Sequence, residues 1–120
     1  MPGTLYVTNM PPDRLKHLAI HVAGGMEYGV QDIGPWSLSV GKGSLAASIF
    51  VGAFVAYCDF KVHISALPDG NTQLLLERNS PWWTGLIGVG RVKRKAVELA
   101  DAYGNNILTQ GFQVLHRADN

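Results

Sequence analysis

The sequence predicts an α+β fold: a single antiparallel sheet in the order β-α-β-β-β-β-α, with its helices packed on one face. Three observations predict this class. Apolar and polar residues alternate over residues 60–67, as in a strand with one buried face. A Pro-Asp-Gly-Asn turn at 68–71 joins that strand to a second β-prone run at 72–78. A helical apolar stripe follows near the carboxyl end.

The amino-terminal residues predict a strand followed by a helix. Residues 5–7 are β-prone, and the helix is predicted to begin at Pro11-Pro12, because proline suits a first helical position. Gly24-Gly25 supplies a stop signal. Between these signals the apolar residues recur at helical spacing, at Leu15, Leu18, Ala19 and Val22.

Two further short strands are predicted at 28–33 and 36–40, on either side of Gly34-Pro35. In the second of them, and in the strand at 60–67, every other residue is apolar. Alternate side chains of a strand point to one face, so these residues are predicted to face the core. They are Trp36, Leu38, Val40, Phe60, Val62, Ile64 and Ala66.

A second helix is predicted after a loop at 79–90. Arg94 and Glu98 are four residues apart, which favours an ion pair on this helix. Gly104 is predicted to end the helix or to lie in its last turn, and residues 112–115 to form a short final strand. The apolar stripe of the helix consists of Val92, Ala96, Leu99, Tyr103 and Ile107.

The composition predicts one domain over residues 1–120, without a repeat or linker. The chain is 47% hydrophobic with a net charge of +1, so apolar surface is expected to remain for a partner and no global field attracts nucleic acid. The single cysteine, Cys58, excludes an intrachain disulfide and a cysteine-based zinc cage. No secretory signal pattern is present at the start, so a cytoplasmic location is expected, with membrane association as the alternative.

The order of the predicted elements, with a tight hairpin before a long terminal helix, resembles small bacterial domains of the TATA-binding-protein-like or helix-grip kind. The resemblance covers residues 4–107. Its main part is 59–103, where a strand, an Asp-Gly turn, a strand, a glycine-containing loop and a basic helix start follow one another. The resemblance implies a fold and assigns no functional residue. Residues 44–57 depart from it, because they are longer and more apolar than a strand connection requires.

The first candidate contact surface is the run at 43–58, which contains no charged residue. As a helix this run would span ~24 Å, less than the ~30 Å hydrocarbon core of a bilayer. Three interpretations stay open: a core strand that continues the strand at 60–67, an apolar surface used in self-association, and membrane insertion. The residues predicted to contact a partner or a membrane are Ile49, Phe50 and Phe54.

The second candidate is the run at 80–95, which joins Trp82 and Trp83 to a glycine-rich loop and a basic helix start. Tryptophan favours interfaces, so both are predicted to contact a partner or a membrane, and the alternative is that they are buried against the sheet. The glycine spacing approaches that of a phosphate-binding P-loop. However, Arg91 and Val92 stand where that chemistry needs a lysine and a hydroxyl, which disfavours nucleotide binding.

The basic start of the second helix predicts an anion site. Cations are unfavourable at the positive end of a helix dipole, so a bound anion would explain the cluster at 91–95. The alternative is a solvated helix face that Glu98 and Asp101 partly neutralise. The residues predicted to bind an anionic small molecule or lipid headgroup are Gly88, Gly90, Arg91 and Lys95.

Catalytic and metal-binding signals are weak. His17 and His21 have the spacing of two metal ligands, but no third ligand is near in sequence, so exposed helix-face histidines are the better interpretation. Cys58 has no base beside it in sequence, and the chain has no nucleophile motif or paired-carboxylate pattern. No cofactor, metal or nucleic-acid partner is predicted.

The leading hypothesis from the sequence is a non-enzymatic binding or assembly domain. It would be a homo-oligomer, or would contact a partner, through an apolar surface. The alternative is a domain that binds an anionic small molecule or lipid headgroup, with or without enzymatic activity, through the glycine-rich loop and the basic helix start. Peripheral membrane contact through the tryptophans is a third hypothesis.

Overall fold

The computed structural model describes residues 3–42, 58–78 and 89–119, and in these ranges it contains one six-stranded sheet and two helices. The predicted α+β class is confirmed, and a sixth strand follows the second helix. The elements are β1 (Gly3–Thr8), α1 (Pro12–Gly25), β2 (Gly29–Gly34), β3 (Ser37–Lys42), β4 (Cys58–Ala66), β5 (Thr72–Arg78), α2 (Val89–Thr109) and β6 (Val114–Asp119).

The strands form the order β2-β3-β4-β5-β1-β6, and all neighbouring pairs are antiparallel. Helix α1 packs against β2 and β4, and α2 packs against β1, β4, β5 and β6. The two helices also contact each other. Burial alternates strictly along β1 and over most of β5, because both helices cover one face of the sheet. Within the described residues the other face carries no helix.

The core lies between the two helices and the covered face of the sheet, and it includes five of the seven strand residues predicted for it. The prediction is wrong for Trp36 and Ala66, which are exposed. Trp36 is 44% exposed because it lies in the β2–β3 turn, where its carbonyl accepts a hydrogen bond from the Ile64 amide. Ala66 belongs to the last strand pair before the β4–β5 loop, at the margin of the sheet. The buried five are Leu38, Val40, Phe60, Val62 and Ile64.

Helix α1 agrees with its sequence signals. Pro12 is its first residue and Gly25 its last, and the four apolar residues of its predicted stripe are buried. A hydrogen bond ties it to α2, since the Tyr103 hydroxyl donates to the Ala19 carbonyl over 3.2 Å. Burial raises the pKa of Tyr103 well above its ordinary value, so this hydroxyl remains protonated and able to donate.

Helix α2 differs from its prediction at two glycines. It begins at Val89, so Gly90 lies inside the helix and not in the loop before it. Gly104 lies more than one turn before the end of the helix. It stands where β1 approaches the helix closely. A Cβ atom at position 104 would stand 2.6 Å from the Tyr6 hydroxyl oxygen. That hydroxyl donates to the Ala100 carbonyl over 2.7 Å, so the missing side chain allows Tyr6 to tie β1 to α2.

The substitution Gly104→Ala tests this contact. In an unhindered helix interior, alanine stabilises by about 1 kcal/mol relative to glycine. At position 104 the added methyl must displace the Tyr6 hydroxyl, so we expect a net loss of about 1–3 kcal/mol in the free energy of unfolding, measured with urea. Gly24→Ala in α1 is the matched control, because nothing lies within 4 Å of an added Cβ there, and it should not destabilise.

A Tyr6→Phe background separates the steric conflict from other effects. It removes the oxygen that the methyl would meet, so Gly104→Ala should cost less in this background than in the wild type. An equal cost in the two backgrounds would show that the contact with the Tyr6 hydroxyl is not the reason for the glycine.

Both edge strands carry an irregularity at an exposed apolar residue. Ile33 interrupts the pairing of β2 with β3, and Leu115 interrupts that of β6 with β1. Their exposed fractions are 49% and 48%. Bulges bend an edge strand and hinder its pairing with a strand of another molecule. Extension of the sheet across either edge is therefore an unfavourable route to an oligomer.

Candidate functional site

The strand ends that flank the two candidate contact segments of the sequence lie at one end of the sheet. Lys42 pairs with Cys58, and Arg78 pairs with Phe60. Residues 43–57 connect the first two of these strand ends, and residues 79–88 connect the third to α2. We call the end of the sheet formed by Lys42, Cys58 and Arg78 the upper end. The β2–β3 and β4–β5 turns lie at the opposite, lower end.

Helix α2 also begins at the upper end. The segment that follows its carboxyl end is fixed at the lower end, where the Gln113 carbonyl accepts a 2.6 Å hydrogen bond from the hydroxyl of Thr8, the last residue of β1. The Gln113 amide donates to the Asn9 side chain there, over 2.8 Å. The 21 residues of α2 span about 31 Å, which carries its start to the other end of the sheet.

The structure describes only part of the predicted sites. Gly90 and Arg91 belong to the first turn of α2. The Lys95 ammonium lies 3.6 Å from a carboxylate oxygen of Glu98. The sequence predicts Arg94 as the partner of Glu98. Outside the described residues lie Gly88 of the predicted anion site and the predicted contact residues Ile49, Phe50, Phe54, Trp82 and Trp83.

A groove of about 370 Å³ lies between α2 and β6. It opens between the carboxyl-terminal half of α2 and the strands β1 and β6. The groove is lined by Tyr6, Asp101, Gly104, Asn105, Leu108, Val114 and Arg117.

Arg117 is the charged centre of this groove. Its guanidinium lies 5.3 Å from the centroid of the Tyr6 ring. Its Nη1 is 2.8 Å from Oδ1 of Asp101, and its Nε is 3.0 Å from Oδ2 of Asp119. Asp119 also accepts a 2.6 Å hydrogen bond from the Thr4 hydroxyl. Two carboxylates face one guanidinium, so the cluster has one negative charge in excess.

Hydrogen bonds and burial set the protonation states in this cluster. The hydrogen bond from Thr4 lowers the pKa of Asp119, and Arg117 contributes in the same direction. Partial burial opposes the charged form of Arg117, but hydrogen bonds to Asp119 and Asp101 raise its pKa. Burial raises the pKa of Tyr6. At neutral pH Asp119 and Arg117 are therefore charged, and the Tyr6 hydroxyl is a neutral donor.

No local pattern in the sequence predicts this groove, because its parts are distant along the chain. Tyr6 and Arg117 face each other across β1 and β6, near opposite ends of the sequence. Asp101, which was predicted to help neutralise the basic helix start, pairs with Arg117 instead. The one signal in the sequence was Gly104 within a helical pattern, since a glycine inside a helix can mark a close approach of another element.

The uncovered face of the sheet carries a row of polar side chains from three strands. Nδ1 of His63 lies 3.0 Å from the Ser37 hydroxyl, and Nε2 lies 3.8 Å from a Glu77 carboxylate oxygen. Serine, histidine and an acid are the residues of an activated nucleophile, but 3.8 Å is beyond hydrogen-bond distance. These side chains make cross-strand contacts between neighbouring strands, which support the sheet.

The histidines of α1 show no metal-site geometry. His17 and His21 are both exposed, as predicted. Over residues 3–42, 58–78 and 89–119, histidine, cysteine and acidic side chains nowhere form a group of three that could hold a metal ion. In the same ranges, no helix combines the length and apolar character needed to cross a membrane.

No model of a known protein family matches the chain, and no curated protein sequence matches it. The resemblance to TATA-binding-protein-like domains therefore stays a prediction.

The substitution Asp119→Asn tests whether the charged carboxylate in this cluster stabilises the fold, because that contribution depends on pH. The folded state lowers the pKa of Asp119 relative to its unfolded value of about 3.9, so the charged carboxylate stabilises the fold above about pH 4. This contribution is lost as the pH falls through the folded-state pKa. Because the side chain is half-exposed, we expect a difference of no more than about 1 kcal/mol at neutral pH.

Urea unfolding across the acid range measures the effect. Wild type and Asp119→Asn should differ at neutral pH and converge as the pH falls below about 4. Thr4→Ser, which keeps the donating hydroxyl, should preserve more of the neutral-pH stability than Thr4→Val. A difference between wild type and Asp119→Asn that persists unchanged in acid would contradict the role given to the charged carboxylate.

Proposed function

We propose that this protein is a non-enzymatic binding or assembly domain that contacts a second copy or a partner through an apolar surface at the upper end. One observation carries the proposal: the strand ends that flank residues 43–57 and 79–88 meet at this end. These two segments contain the long charge-free run and the tandem Trp82-Trp83. Apolar residues concentrated at one place on a small domain are typical of a contact surface.

Self-association is the form of contact that we favour. The irregularities at Ile33 and Leu115 disfavour an oligomer that grows by strand pairing at the sheet edges. A shared surface at the upper end would instead give a closed, two-fold symmetric dimer. The oligomeric state and its dependence on the tryptophans are therefore the quantities to measure.

Replacing Trp82 and Trp83 with alanine tests the proposal. We expect light scattering coupled to gel filtration to give a dimer or larger oligomer for the wild type and a monomer for the double variant, since aromatic anchors contribute most to an interface. Far-ultraviolet circular dichroism should show the same fold in both. Trp36→Ala is the matched control, because it removes an exposed tryptophan at the lower end and should leave the oligomer intact.

A wild-type protein that is a monodisperse monomer, and that binds neither vesicles nor a hydrophobic dye, would contradict the proposal. So would a loss of folded structure in the Trp82 and Trp83 variant, because that result would make the two tryptophans core residues.

A second candidate partner, an anionic lipid headgroup, is favoured by the start of α2. The helix begins at the upper end and has no acidic residue in its first turn. Its first two turns carry the predicted basic cluster at 91–95. Tryptophan and basic side chains together suit the surface of an anionic bilayer.

Vesicle co-sedimentation tests the lipid candidate. The protein should bind vesicles that contain phosphatidylserine, bind phosphatidylcholine vesicles less, and lose binding as salt rises. A basic residue near an anionic surface contributes about 1 kcal/mol, so Arg91→Gln with Lys95→Gln should weaken binding by roughly tenfold or more. Lys61→Gln, on the uncovered sheet face, is the control. Equal binding to both vesicle types would contradict this candidate.

A further inference from the structure

The groove between α2 and β6 presents opposite charges side by side. Nη1 of Arg117 and Oδ1 of Asp101 are 2.8 Å apart, and both residues line the groove. Leu108, which is 57% exposed, and Val114 supply apolar surface to the same groove. The Asn105 side chain adds an amide that can donate and accept hydrogen bonds. A guanidinium, a carboxylate and an apolar wall thus occur in one small concave site.

We propose that this groove binds a small zwitterion, a free α-amino acid with an aliphatic side chain. Such a ligand carries its ammonium and its carboxylate on one carbon atom, so its charges match the neighbouring Asp101 and Arg117. The ligand carboxylate binds Nη1 of Arg117, and the ligand ammonium binds the Asp101 carboxylate. The aliphatic side chain packs against Leu108 and Val114.

A ligand can replace the ion pair between Arg117 and Asp101 at little energetic cost. The side chain of Asp101 is 53% exposed, and an exposed ion pair of this kind contributes little to stability. Arg117 does not depend on Asp101 for its position, because its Nε and Nη2 contact Asp119 at 3.0 and 3.3 Å. Asp119 is held in turn by the Thr4 hydroxyl. The guanidinium is therefore preorganised, and Asp101 is the partner that can turn to a ligand.

Charge and size restrict the ligand class. The cluster has one negative charge in excess, which disfavours a simple anion. A simple cation would pair with Asp101 and leave Nη1 of Arg117 without its acceptor, although Nε and Nη2 would keep Asp119. A zwitterion satisfies both groups at once. The volume of about 370 Å³ lies near the lower limit of ligand pockets, which run from about 300 to 1,000 Å³, so the groove suits a small molecule.

The groove is separate from the upper end on which the proposed function depends. Its α2 residues begin at Asp101, and its β6 residue Val114 pairs with Thr8 at the lower end of β1. Loss of self-association and loss of amino-acid binding can therefore be observed independently of each other.

Nuclear magnetic resonance titration of the ¹⁵N-labelled 120-residue chain with L-leucine tests the proposal. Saturable shifts are expected at the amides of Asp101, Gly104, Leu108 and Val114, with a Kd on the order of 1 mM, as suits an open groove. Leucine amide lacks the carboxylate and 4-methylpentanoate lacks the ammonium. Each should bind about tenfold more weakly than leucine or worse, because each leaves one of the two charged groups without its partner.

Two variants locate the site. Asp101→Asn removes the group that binds the ammonium, and it should weaken leucine binding by about tenfold while the remaining spectrum stays that of the folded protein. Asp13→Asn removes an exposed carboxylate from α1 and should leave leucine binding unchanged. Three results would overturn the proposal: no saturable shift with leucine, equal binding of the three compounds, or wild-type affinity in Asp101→Asn.

Discussion

The register of β4 is the constraint on which the rest of the structure depends. Phe60, Val62 and Ile64 are buried against the helices, while Lys61 and His63 lie on the other face. A slip of one residue would exchange these two sets, and burial of an unpaired charge costs several kcal/mol. The apolar side chains of β4 therefore determine which residues of β3 and β5 pair with it, and these pairs bring the ends of three strands together at the upper end.

A second contact positions α2 on this sheet. The Tyr6 hydroxyl reaches the Ala100 carbonyl only because Gly104 has no side chain there. The pairing of β6 with β1 places Arg117 beside the Tyr6 ring, where Asp101 of α2 forms an ion pair with it. One tyrosine thus contributes to the packing of the helix and to the floor of the groove.

The sequence predicts the parts of this fold that rest on local patterns. Alternation at 60–64, the hairpin turn at 68–71 and the stripe of α1 each depend on residues close in sequence, and the structure contains all three elements. Trp36 alternates with Leu38, but it is exposed because the strand begins after it. Glycine is typical of a helix end, but Gly104 lies inside α2, where the close contact with Tyr6 requires a residue without a side chain.

The candidate sites were less predictable, for a physical reason. The composition of residues 43–57 and 79–88 identifies both as unusual, but their attachment to one end depends on the strand order, which no local pattern contains. The groove depends on pairing between the first and last strands of the chain. Arg117 lies in a strand predicted at 112–115 but found at Val114–Asp119, so its partners on β1 and α2 could not be inferred from spacing.

Hydrogen–deuterium exchange of the wild-type protein at low and high protein concentration tests most directly the claim that the upper end is the contact surface. Amides at the strand ends there, Lys42, Cys58 and Arg78, should exchange more slowly at high concentration. Amides of the lower-end turn at 67–71 should be unaffected, and they serve as the internal reference. Slower exchange confined to the lower end, or no change at any position, would contradict the account.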